Sequence, residues 1–211
     1  GMSLNLSKKF NKVLIPVTAG DSSLSIGACF KSASDYCEKK NLNKDNYIKH
    51  IDNIYLGPQI TKLEIEKFIK QKKIKNKYLI KKNITAKYIA KEIFKGNIIG
   101  RCSGRMEFGM RALGNRSILC DPRFFANIRK INLKIKKRDF WMPFTPSIIK
   151  EDFNKYVINK KKINADFMTM AFDTTKLGRK NLQAAIHPAD YSVRPQRVDK
   201  VNNPEYYKLI R

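Results

Sequence analysis

The chain reads as an α/β protein, and three observations predict that class. Short apolar runs with strand character stand at residues 13–17, 97–100 and 167–172. Amphipathic stretches with helix-capping residues alternate with them, and glycine-bearing turns join the two kinds of segment. A length of 211 residues suffices for one good core, or for one domain plus a fragment of another.

The elements follow in order. Residues 13–17 predict a strand, and residues 18–21 the turn after it. Asp21 or Ser22 then caps a helix running through Leu24, Ile26, Cys29 and Phe30 towards Cys37. Residues 41–53 turn polar and charged, as a linker or peripheral segment does. Thr61 and Glu64 form a capping box for a helix whose apolar face carries Leu63, Ile65, Phe68 and Ile69. Thr85 starts a further helix that buries Ile89, Ala90, Ile93 and Phe94 and stops at Gly96. Residues 97–100 lead out of it as a strand. Residues 128–135 predict a helix, whose end carries Lys134, Lys136, Lys137 and Arg138 at the negative pole of its dipole. Residues 140–147 read as a rigid extended segment with aromatics filling core, and residues 154–162 as an exposed basic stretch. The run at 167–172 is the last predicted strand.

Lys is the default cation of this chain, 33 residues against 11 Arg, yet five of the Arg fall within residues 100–123, which contain no Lys. Guanidinium offers a planar fork of donors that grips phosphate or carboxylate through two parallel hydrogen bonds. Gly104, Gly109 and Gly114 add the positive φ and close backbone approach of anion-cradling loops. Arg101, Arg105, Arg111, Arg116 and Arg123 together predict an oxyanion or phosphate site. The alternative is pairing with carboxylates, for which only Glu107 and Asp121 are local.

A formal charge of +26 implies affinity for polyanions, phosphorylated small molecules or an acidic partner, discounted for the lysine bias. Cys29, Cys37, Cys102 and Cys120 have neither metal-site spacing nor a secreted framework, so reduced thiols in cytosol are expected, with Cys102 and Cys120 as small buried hydrophobes. The absence of a membrane-length apolar run and of a signal pattern predicts a soluble, cytoplasmic protein. His187 serves either as acid or base or as a structural residue before Pro188, and His50 is incidental.

The run Gly104-Arg-Met-Glu-Phe-Gly-Met-Arg-Ala-Leu-Gly-Asn-Arg-Ser-Ile-Leu119 closely resembles the signature of the C-terminal, YrdC-like domain of the carbamoyltransferases that decorate antibiotics and nodulation factors. The resemblance continues through Ile131-Asn132, Ile135-Lys136-x-Arg138-Asp139, Pro143-Phe144-x-Pro146-Ser147, Ala185-x-His187-Pro188-Ala189-Asp190 and Arg194-x-Gln196. Met142 stands where relatives carry Arg, and Tyr191 where they carry Gly. Tyr55-Leu-Gly-Pro58 is similar to the motif opening the family's second domain.

The resemblance implies that residues 1–53 are the end fragment of an actin-like ATPase domain plus linker, and that residues 54–211 form a YrdC-like domain on a twisted, mixed sheet. Residues 1–5 resemble the end of a nucleotide motif of the first domain; Gly1-Met2 also reads as a cloning scar. ATP, Mg²⁺ and carbamoyl phosphate are the implied ligands and carbamoyl adenylate the product, passed by the first domain to a hydroxyl of an acceptor. That domain, when complete, would hold an iron-type divalent metal with help from Asp21. Arg105, Arg111, Arg116, Lys136, Arg138 and Arg194 are the implied contacts to phosphate or carbamate oxygens. Asn115, Ser117, Ser147 and Gln196 are their hydrogen-bonding partners. Glu107 either reaches Mg²⁺ through water or holds Arg105 and Arg111 in place, the second being favoured among so many cations. Two other readings stay open: a basic module that binds nucleic acid, and an incomplete remnant that binds nucleotide but needs a separate first-domain chain.

Overall fold

The computed structural model describes residues 2–18, 20–49, 51 and 53–211, with nothing described of the Met2 side chain. His50, and Gly1 of the N-terminal motif, lie outside the described residues. The class is α/β, as expected. Strands nevertheless occur only as three separate pairs among the described residues, not as one continuous sheet.

α1 (Met2–Lys9) is followed by an irregular segment where a strand was expected. Val13 and Ile15 pack on one core cluster and Val17 on another. The apolar pattern therefore reports burial. Pro16 has no N–H to give a ladder, and none of the strands among the described residues pairs with this segment. A 3-10 turn (Asp21–Ser23) leads into α2 (Leu24–Lys39), without the expected side-chain cap from Asp21 or Ser22. The polar stretch holds a short α3 (Lys44–Tyr47).

α4 (Lys62–Gln71) has both halves of its capping box, Thr61 Oγ1 accepting from the Glu64 N–H and Glu64 returning to the Thr61 N–H. Its Leu63, Ile65 and Phe68 are nevertheless exposed. α5 (Ala86–Phe94) is capped by Thr85, which accepts from the Tyr88 N–H, and ends at Gly96 with φ +88°. There the Gly96 N–H reaches the Ile93 carbonyl and the Asn97 N–H the Glu92 carbonyl, the paired bonds of a Schellman stop. Phe94 is exposed, contrary to expectation, with the Arg123 guanidinium 4.9 Å from its ring centre.

β1 (Ile99–Cys102) and β2 (Arg116–Leu119) pair antiparallel, so residues 103–115 form the loop of a long hairpin. α6 (Ala126–Ile131) widens into a π turn (Asn132–Lys136) and stops at Lys137, φ +48°. Phe140 and Trp141 are exposed rather than core-filling; of the aromatics in that segment, Phe144 is half-buried, stacked under Arg138 at 4.9 Å.

β3 (Ser147–Ile149) leads through α7 (Phe153–Tyr156) and β4 (Val157–Ile158) to β5 (Asp173–Thr174), which pairs antiparallel with β4. Residues 167–171 are not the expected strand. Met168 takes φ +56°, which breaks an extended run, and the apolar character serves burial of Met168, Met170 and Phe172. α8 (Lys176–Asn181) precedes β6 (Gln196–Val198), which lies parallel to β3 with Ser147 opposite Gln196. α9 (Pro204–Ile210), capped by Asn203 with Pro204 at its first position, closes the fold against α5.

Candidate functional site

The hairpin loop is organised from inside by a carboxylate. Glu107 is 7% exposed, and its Oε1 accepts from the backbone N–H groups of Leu113 (2.8 Å), Asn115 (2.7 Å) and Arg116 (3.2 Å). It makes no ion pair with Arg105 or Arg111 among the described residues, so the expected role of holding those side chains directly is not what the geometry shows.

Four of the five clustered arginines are committed to partners within the protein. Arg105 donates to the carbonyls of Gly57 (3.1 Å) and Leu56 (2.6 Å). Arg116 donates to the carbonyls of Ser103, Gly104 and Asn115. Arg101 donates to the Gly114 carbonyl at 2.8 Å and stacks on Tyr206. Arg123 forms a forked pair with Asp121. Three of these guanidiniums thus serve peptide carbonyls of loop segments that no strand satisfies. Residues 54–58 run antiparallel along the loop, with the Met106 N–H on the Pro58 carbonyl and the Phe108 N–H on the Ile54 carbonyl.

Arg111 is the exception. Half-buried on the loop, it makes no hydrogen bond or ion pair to a carboxylate or carbonyl among the described residues, and neither does Arg194, which is exposed. The two are brought together by one bond, from Gln196 Nε2 to the Leu113 carbonyl at 2.9 Å, since each arginine lies two residues before a partner in that bond. Although exposed, Arg194 is held below its ordinary value first by partial desolvation and then by the like charge of Arg111. Two guanidiniums that repel each other, neither with an ion-pair partner among the described residues, make a place where an anion is favoured.

A directional chain of hydrogen bonds supports this corner. Tyr206 Oη donates to Ser147 Oγ (2.8 Å), Ser147 to Gln196 Oε1 (2.9 Å), and Gln196 to the Leu113 carbonyl, which also accepts from Tyr55 Oη (2.9 Å). Burial pushes the Tyr206 phenol up to about 12, and burial also raises Tyr55. Asn115 gives its amide to the Arg105 carbonyl and accepts from Asn203, while Ser117 Oγ accepts from the Gly114 N–H. Asn115, Ser117, Ser147 and Gln196 are therefore joined at the loop by bonds among themselves and to the backbone. Gly114, φ +110°, is required because a Cβ there would stand 2.3 Å from Tyr206 Cδ1.

Other expected residues lie apart. Arg138 donates to Asn132 Oδ1 (2.7 Å), and Lys136 is exposed on the π turn; no hydrogen bond among the described residues ties either to the hairpin loop. Asp21 is exposed, and no group of three or more metal-ligating side chains gathers among the described residues. His187 lies 3.4 Å from Asp190 in an exposed turn, where Tyr191 takes φ +56°. All four cysteines are free, but Cys102 is exposed rather than buried, and Cys120 is pushed up to about 11, first by burial and then by Asp121. Thr18 is buried beside Gly109, its hydroxyl without a hydrogen-bond partner among the described residues. Tyr206 and Asn203 were not foreseen as site supports; Asn-Pro as a helix start was the available signal.

Residues 90–211 match the family model described as carbamoyltransferase C-terminus. The chain belongs to the carbamoyltransferase family. It is 35% identical over 221 residues to the uncharacterised protein MJ1058 of Methanocaldococcus jannaschii, covering all of this chain and 34% of that protein. Nodulation protein NolO of Bradyrhizobium diazoefficiens is 30% identical over 207 residues, 95% of this chain and 36% of the relative. The 3'-hydroxymethylcephem-O-carbamoyltransferase of Streptomyces clavuligerus is 31% identical over 117 residues, 54% of this chain and 21% of the enzyme. The chain thus spans about a third of the length of the relatives that match it throughout. No helix among the described residues is long and apolar enough to cross a membrane.

Proposed function

We propose that this chain is the adenylating part of a carbamoyltransferase, with residues 54–211 as a YrdC-like domain and residues 1–53 as the end fragment of an actin-like one. Arg111 and Arg194 bind the phosphate oxygens of ATP or carbamoyl phosphate. The observation that carries this is the Gln196–Leu113 bond, which joins the segments bearing these two arginines, neither of which has a hydrogen-bond or ion-pair acceptor among the described residues. Phosphoryl and adenylyl transfer need charge neutralisation and positioning more than a protein nucleophile. In the proposed reaction carbamoyl phosphate loses its phosphoryl group to water as inorganic phosphate. A carbamate oxygen then attacks the α-phosphorus of ATP, pyrophosphate leaves, and carbamoyl adenylate remains for transfer to a hydroxyl acceptor. Mg²⁺ would neutralise the departing pyrophosphate. Lys136 and Arg138 complete the phosphate contacts only if the bound nucleotide extends to the π turn.

The test is to incubate the chain with ATP, Mg²⁺ and carbamoyl phosphate, following pyrophosphate and carbamoyl adenylate by mass spectrometry. Pyrophosphate release that requires carbamoyl phosphate, and is lost in a folded Arg111→Ala variant, is the expected result. Binding without turnover would assign the missing step to a first-domain chain, to be supplied in trans. Failure to bind either ligand would sink the proposal.

A further inference from the structure

The glycine-rich loop has the N–H groups to cradle a phosphate, but they are already taken. Leu113, Asn115 and Arg116 aim their N–H groups at one oxygen of Glu107, the arrangement by which backbone nests hold an external anion. We propose that Glu107 is the loop's internal anion: it fills the nest that an external ligand would otherwise fill and so fixes the position from which Arg111 reaches that ligand. Glu107 is then a positioning residue, acting through the backbone. The proposal rests on the reading of Arg111 and Arg194 as a ligand-binding pair.

Three features favour it. The carboxylate is buried and its bonds to Leu113 and Asn115 are short, as charge-assisted bonds are. One of the residues it holds is Leu113, whose carbonyl carries the link to Gln196 and hence to the Arg194 segment. Arg111 lies between Glu107 and Leu113 in sequence, so the Glu107–Leu113 bond closes a turn over residues 107–113 with Arg111 inside it.

The experiment measures pyrophosphate binding by calorimetry for the wild-type chain and for Arg111→Ala, Glu107→Gln and Glu107→Ala, each checked for folding by circular dichroism. Glu107→Gln, which keeps one carbonyl oxygen in the nest, should lose affinity about threefold, and Glu107→Ala about tenfold or more. Formate at tens of millimolar should enter the vacated nest and restore most of the affinity of Glu107→Ala, while slightly weakening binding to wild type by competition. A purely structural role would lower the melting temperature of Glu107→Ala without formate-dependent recovery of binding. Should Glu107→Ala not fold, Glu107→Gln carries the test, and unchanged affinity in it overturns the proposal. Wild-type affinity that depends on Arg111 but not on Glu107 overturns this inference alone. No wild-type binding, or none lost in Arg111→Ala, overturns the pair reading and this one with it.

Discussion

Helices α4 and α5 are capped by the same residue type in the same way, yet one is held by tertiary packing and the other is not. Thr61 and Thr85 each accept from the N–H three residues on. Ile89 and Ile93 of α5, both half-buried, pack against the cluster of Tyr206, Tyr207 and Leu209, whereas no residue of α4 joins a core cluster among the described residues. The contrast extends to whole regions. Residues 86–211 supply most of the core, joined by Ile54 and the segment beside the loop, while α2 buries only Cys37 along sixteen residues. Local sequence signals are enough to make a helix start and stop; they do not tell whether its apolar face has anything to cover it.

The sharpest way to break the comparison is Gly114→Ala, where α9 meets the loop. With φ +110° and a ring carbon at 2.3 Å, the substitution should cost ~3 kcal/mol and lower the urea midpoint, whereas Gly100→Ala, with open space around it, should leave the midpoint unchanged. An unchanged midpoint for Gly114→Ala would mean that α9 does not seat on the hairpin.

Alkaline pH probes the same junction. Tyr206 holds its proton to about 12 in the folded state against an ordinary 10.0, and Cys120 to about 11 against 9.0. Both unfolded groups therefore ionise first, so stability present below pH 9 should fall as pH rises from 9 towards 12. Denaturation series at stepped pH would show this, with a shallower slope in Tyr206→Phe; a flat profile would contradict the burial of both groups.

Smaller again is the pair of cap removals. Thr85→Ala should lower global stability by about 1 kcal/mol, while Thr61→Ala should change the helical circular dichroism signal but not the unfolding midpoint. Equal shifts would show that α4 is part of the cooperative unit. Hydrogen exchange should agree, with α5 and α9 amides protected well beyond those of α2 and α4.

Helix ends were the most legible part of the fold. The Thr61 and Thr85 caps and the Gly96 stop rest on bonds within a few residues, and the sequence states them directly. Strands at 13–17 and 167–172 were misread because apolar runs report burial, and only a neighbouring chain with free donors makes a strand. At the site, the excess of arginine over lysine pointed to the right loop but not to what each guanidinium does. Arg105 and Arg116 take carbonyls contributed by residues 56–58 and 103–104. Such partners depend on how the loop folds back, which no spacing rule encodes. Arg194 is paired with Arg111 only through a bond that spans 83 residues.

That last bond has a consequence for how the protein is born. The Leu113 carbonyl collects one donor from 58 residues upstream and another from 83 residues downstream, and Tyr206 anchors the downstream one. On a translating ribosome, at roughly 5–20 residues per second, the loop is finished several seconds before its downstream clamp exists. During that interval a cation-rich loop stands open to the ribosome's own polyanion, and its closure must wait for α9 to emerge.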